Sequence, residues 1–275
     1  MGSTSSDSQE VSYPFPPFRV QSGGIARMGW RARLMGQHFY LLMALLIAAI
    51  DVYGFSQTVN QRLIHPAIPR PFVLYLHAAV YSGWVVFFIL QTTLVRTGNV
   101  RWHRMTGLFG VALGTSVVAL GVWTAIVMGR FNMAQLHRHF APPILLAQFY
   151  DVLAFATPFV LAIYWRRKSE FHRRLMLVAS CALTVAAISR MPILLSITGR
   201  ISDSAGVNFL TLFVIFDGAG VGLLILLGVA RDLIVSGRVH RVYVYALPAY
   251  IICRIVVAYT CQTPFWLKIA RAILD

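Results

Sequence analysis

Acidic residues are scarce in this chain: nine Asp and Glu against 24 Lys and Arg in 275 residues, for a formal net charge of +15. Charged residues of both signs make up only 12% of the sequence while 58% is apolar, a balance that excludes an ordinary soluble domain and points to a polytopic membrane protein. In such a chain the basic excess belongs to loops on one side of a bilayer. No RNP-like motif or aromatic-interleaved basic helix is present to make it a nucleic-acid surface. Three cysteines without metal-ligand spacing give neither a zinc site nor a disulfide framework. There is no G-x-S-x-G, no H-E-x-x-H and no Gly-rich phosphate loop, so nothing supports hydrolytic catalysis. The first 24 residues are polar, rich in Ser and Pro, and lack the apolar core of a cleavable signal; Met1-Gly2 with Ser6 fits a myristoylation pattern only formally.

What the chain does have is seven apolar runs, at 38–59, 71–95, 105–128, 141–165, 173–198, 207–230 and 242–262. Each reaches about 20 residues, the length needed to cross a ~30 Å hydrocarbon layer. The expected fold is an all-α, seven-helix transmembrane bundle (38–262), preceded by a flexible cytoplasmic tail (1–37) and followed by a short outer segment (263–275). The N-terminal tail and the second, fourth and sixth loops hold fifteen Arg and Lys, against seven on the other side. The positive-inside rule therefore sets the N-terminus in the cytoplasm and the C-terminus outside.

Six ionisable residues fall inside these runs: Asp51, His77, Asp151, Arg190, Asp217 and Arg254. A charge at the centre of a spanning helix costs roughly 2.5–3.5 kcal/mol on insertion scales, so such residues mark functional sites by default. Counted from the outer helix ends at about 1.5 Å per residue, all six lie about 9–15 Å deep, in the outer half of the bilayer. Arg190 and Arg254 suit bidentate pairing with two of the aspartates. On the second helix His77, Tyr81, Trp84, Phe88 and Gln91 recur at spacings of four and three and form one stripe, as a pocket wall or a polar helix contact requires. Gln148, Tyr150 and Asp151 cluster on the fourth helix, and Gly218-Ala219-Gly220 after Asp217 permits close helix approach.

Three odd-numbered helices open alike, at His103-Arg104, His172-Arg173 and His240-Arg241, each 21–26 residues after a buried ionisable group on the preceding helix. This suggests three repeated hairpins plus one extra helix, a plan used by transporters. The favoured reading is an outward-facing polar cavity that binds or translocates a small polar or ionic species with a proton. Two others compete. A haem b held by His77 requires a second axial ligand from a facing helix, for which Met128 and Met191 are the nearby choices. Copper held by His77, His137 and His139 draws on the outer H-x-H with Met133 close in sequence. Asp–Arg pairs that merely fasten helices, in a homo-oligomer or an accessory subunit of a membrane complex, form the bland alternative.

The stretch from Leu76 through Gln91 to His103-Arg104 and Gly107, together with FHRRLMLVASCALTVAAISRM from Phe171 to Met191, resembles a broad set of uncharacterised bacterial polytopic membrane proteins. Shared elements are the buried His, the Gln, an H-R-x-x-G turn, and H-R-R-x-M followed by a buried Arg; they cover about 55 residues. The resemblance implies a bacterial inner-membrane protein and lends weight to His77, Gln91, His103, His172 and Arg190, but brings no settled activity.

Overall fold

The computed structural model describes residues 36–137, 140–206 and 208–275. Most of the 1–37 tail and His139 of the H-x-H therefore lie outside the described residues. Among the described residues the chain is all helix with no strand. Seven helical segments are long and apolar enough to span a bilayer, as the apolar runs require.

The elements are α1 (Phe39–Ser56), a π turn (Asn60–Ile64), α2 (Phe72–Arg96), α3 (Val100–Leu136), α4 (Ala141–Tyr164), α5 (Ser169–Leu183), α6 (Val185–Ile188), α7 (Pro192–Ala205), α8 (Phe209–Ser236), α9 (Arg241–Thr260) and α10 (Pro264–Leu274). Their ends follow local chemistry. Proline opens α4, α7 and α10, where its missing N–H costs nothing. Asn208 caps α8 by accepting the Leu210 N–H at 2.8 Å, and Gly206 and Gly237 close α7 and α8 at φ 64° and 66°.

Two segments depart from the apolar pattern. The third helix runs 37 residues instead of ending at 128, so it is about 55 Å long and overshoots the hydrocarbon. Its extra turns are sheathed by α10: Leu274 packs on Gly129, Ala270 and Leu274 join Ala125, Ala141 and Leu145, and Arg130 Nη2 donates to the Ile273 carbonyl at 2.7 Å. The predicted fifth helix, 173–198, is broken twice. At Thr184 both the backbone N–H and the hydroxyl turn to the Cys181 carbonyl, three residues back, which tightens the helix. Arg190 and Met191 then make the same three-residue bonds, and Met191, forced out of the helical region by Pro192, takes ψ 126°.

The membrane-length part of this segment, Ser169–Ile188, is the centre of the bundle: 67% of its apolar window is buried, against 17–44% in the other six. Its largest core joins α1, α5, α8 and α9 through Phe39, Met43, Ile47, Leu177, Val221 and Tyr243. Gly54 lets α1 lie directly on the Ala187 backbone, where a methyl group would collide with the peptide carbon at 2.6 Å. The break in the central segment thus faces α1.

Candidate functional site

The six ionisable groups of the apolar runs divide into an ion-paired set and a set that makes no ion pair among the described residues. Arg254 on α9 is 3% exposed and reaches two carboxylates at once, with Nη1 on Asp151 Oδ1 of α4 at 2.5 Å and Nη2 on Asp217 Oδ1 of α8. Its Nε donates to the Val214 carbonyl at 2.7 Å, so all three kinds of guanidinium nitrogen are used. Gly218 makes this approach possible, since a Cβ there would meet Arg254 Cγ at 2.6 Å. Tyr150 lies beneath the guanidinium, 5.7 Å from ring centroid to Cζ, and its hydroxyl donates to the Tyr250 carbonyl at 2.8 Å. Two carboxylates around one arginine, closed by a backbone acceptor and an aromatic face, tie α4, α8 and α9 together.

Arg190 does not join this set. The expectation that it would pair with an aspartate is not met among the described residues: the helix breaks around it, and its guanidinium lies against Phe55 of α1. Its Nη1 turns back to the Ala186 carbonyl, its guanidinium lies over the Phe55 ring at 4.7 Å, and its Nε is buried without an acceptor among the described residues. Asp51, one turn before Phe55 on α1, buries Oδ1 without a donor among the described residues. His77 stacks on Tyr81 with ring centroids 3.8 Å apart; its ring is hydrogen-bonded to the Leu120 backbone, while its Nδ1 is buried without a partner among the described residues. The Arg190 charge bears on His77, and that of Arg62, from the π turn, bears on Arg190.

The rest of the α2 stripe is helix contact. Tyr81 donates to the Val117 carbonyl at 3.1 Å, Trp84 meets Phe155 and Phe159 edge-on and donates to Ser180 Oγ at 3.3 Å, and Gln91 Nε2 bonds Thr106 Oγ1 at 2.7 Å. Gln148 is half-buried on α4 with no side-chain hydrogen bond among the described residues.

His137 ends α3 in the left-handed region at φ 48°. Among the described residues no three His, Cys, Asp or Glu side chains gather as a metal cage. The repeated histidines collect at the arginine-rich end: His103 and His172 rings stand 6.2 Å apart, and His240 meets Phe171 at 4.7 Å. About 28 Å of α2 separates them from His77, so none faces it as a second axial ligand.

A second ionic network, which the apolar pattern does not announce, closes that same end. Arg174 on α5 grips Asp232 on α8 with two parallel bonds, Nε to Oδ2 at 2.9 Å and Nη2 to Oδ1 at 2.7 Å. Arg231 adds a bond to Oδ1 at 2.9 Å and the His240 N–H one to Oδ2 at 3.2 Å. Asp232 is fully buried and both arginines nearly so. Burial and the Arg174 charge hold the His240 imidazole below its ordinary pKa, which suits its neutral Nδ1 for accepting the Val242 N–H at the start of α9. Asp217 and Asp232, about 22 Å apart along α8, thus anchor one lock near each end of the bundle.

No family model matches this chain, and neither a curated protein nor a solved structure is similar to it.

Proposed function

We propose that this integral membrane protein binds a small anion at Asp51, His77 and Arg190, in the arginine-poor half of the bundle, and moves it across the bilayer together with a proton. One observation carries the reading: among the described residues Asp51, His77 and Arg190 each bury a polar atom without a hydrogen-bond partner and make no ion pair, and Arg190, at the break in the central helix, is near enough for its charge to bear on His77. Unpaired buried charges are costly and persist where a ligand or proton completes them. Interrupted spanning helices are where transporters place substrate. Arg190 and the nearby charge of Arg62 give the site a positive bias, so an anion is the fitting ligand class. Asp51 and His77 are the groups able to exchange a proton beside it. The Arg254 set, fully engaged, acts as a fixed post for helices α4, α8 and α9. The arginine-rich end faces the cytoplasm by the positive-inside rule, and the motif resemblance supports a bacterial inner membrane.

Thermal unfolding of the purified protein in dodecyl maltoside, with sodium chloride, nitrate, sulfate or lactate at matched ionic strength, tests this. At least one anion is expected to raise the midpoint by a few degrees, since ligand at a hundredfold its Kd contributes about 2.7 kcal/mol. Arg190→Gln should keep the ligand-free midpoint and lose the increment. A uniform response to all four salts, or one retained in both Arg190→Gln and His77→Ala, refutes the site.

A further inference from the structure

The lock at the arginine-rich end carries more hydrogen-bond donors than it can satisfy. All four of its carboxylate oxygens are engaged: Glu170 Oε1 and Oε2 accept from Arg173 Nη2 at 2.6 Å, Oε2 also from Arg174 Nη1 at 2.5 Å, and both oxygens of Asp232 accept as described above. Yet Arg173 Nε, Arg231 Nε and the Tyr40 hydroxyl are buried with no partner among the described residues. These three belong together. The guanidinium carbons of Arg173 and Arg231 lie 5.5 and 5.6 Å from the centroid of the same Tyr40 ring, where the first turn of α1 meets the start of α5 and the end of α8. Three arginines against two carboxylates leave one positive charge in the network.

Unsatisfied donors beside a residual positive charge call for an oxyanion. The geometry points to a phosphate-binding site formed by Tyr40, Arg173 and Arg231, taking the phosphate of an anionic lipid headgroup or a free phosphate ion. Its place suits both sources, because the arginine-rich ends of spanning helices lie at headgroup level and basic pockets between helices there hold lipid phosphates. The nitrogens are sealed in the present arrangement, so the ligand enters as Arg173 swings outward. That side chain is 36% exposed, and its ion-pair partner Glu170 is itself 54% exposed.

The full chain in dodecyl maltoside, a detergent without phosphate, separates the outcomes. Thermal midpoints are compared on adding inorganic phosphate, with sodium chloride at equal ionic strength as control, and on doping the micelles with phosphatidylglycerol. Tyr40→Phe removes only an unsatisfied hydroxyl, so its ligand-free midpoint should equal or exceed that of the wild type. Phosphatidylglycerol or phosphate should raise the wild-type midpoint, and Tyr40→Phe and Arg173→Gln should each need about tenfold more ligand for the same rise, the loss expected for a bond to a charged group. The exposed Arg238→Gln should respond as wild type. A rise with phosphatidylglycerol alone assigns the site to a headgroup, and a rise with both extends it to the free ion. No rise with either, or a rise unchanged in Tyr40→Phe and Arg173→Gln, overturns the assignment.

Discussion

Arg254→Leu is expected to abolish recovery of folded protein. The substitution leaves Asp151 and Asp217 facing each other across the space a guanidinium had filled, and orphans the Val214 carbonyl as well. Breaking a buried pair from one side costs about 3–5 kcal/mol, because the remaining charges cannot regain water. That is a large share of the roughly 5–15 kcal/mol by which folded domains are stable. The combined variant Asp151→Asn, Asp217→Asn, Arg254→Gln should recover most of the loss, since no uncompensated charge remains and amides can still bridge the three helices. Size-exclusion chromatography in detergent reads both outcomes. Normal elution of Arg254→Leu would show that the carboxylates find protons or water and that the post is dispensable.

Asp232→Asn should be nearly as damaging, at about 3–5 kcal/mol, because Arg174 and Arg231 would lose their shared carboxylate while 3% and 4% exposed. Glu170→Gln offers the internal contrast. Glu170 touches the same Arg174, but it is half-exposed, and exposed pairs contribute about 0–1 kcal/mol. A midpoint lowered strongly by Asp232→Asn and barely by Glu170→Gln would place the lock in the buried pair. Equal small shifts would show that water enters this end of the bundle.

The seven-span architecture is legible in the sequence because hydropathy is a local property: twenty apolar residues read the same whatever they pack against. Arg254 and its aspartates are legible for a related reason, since a charge inside an apolar run stands out without knowledge of its partner. Arg174 and Asp232 did not stand out. They sit within a turn or two of helix ends, where arginine is ordinary, and the apolar run ends at residue 230 while the helix continues to Ser236. Only the crossing of α5 and α8 turns two apparent loop charges into a buried pair. Arg190 shows the converse. Its position in an apolar run predicts a pairing, but Pro192, the one local sign of a break, redirects it, and the apolar residues after it form a separate short helix. The overshoot of α3 beyond Arg130 was equally hidden, because it depends on α10 folding back from the far end of the chain to cover it.

The proposed proton-linked anion site is tested most directly by proton movement. Proteoliposomes loaded with the pH dye pyranine, given an inward gradient of chloride, nitrate, sulfate or lactate, would report lumenal acidification as an anion enters with its proton. Wild-type protein should acidify the lumen with at least one of the four. Asp51→Asn and Arg190→Gln, reconstituted in equal amounts and equally folded, should not. Acidification that persists undiminished in both variants, or is absent from the wild type with every anion, would contradict a proton-linked anion site at Asp51, His77 and Arg190.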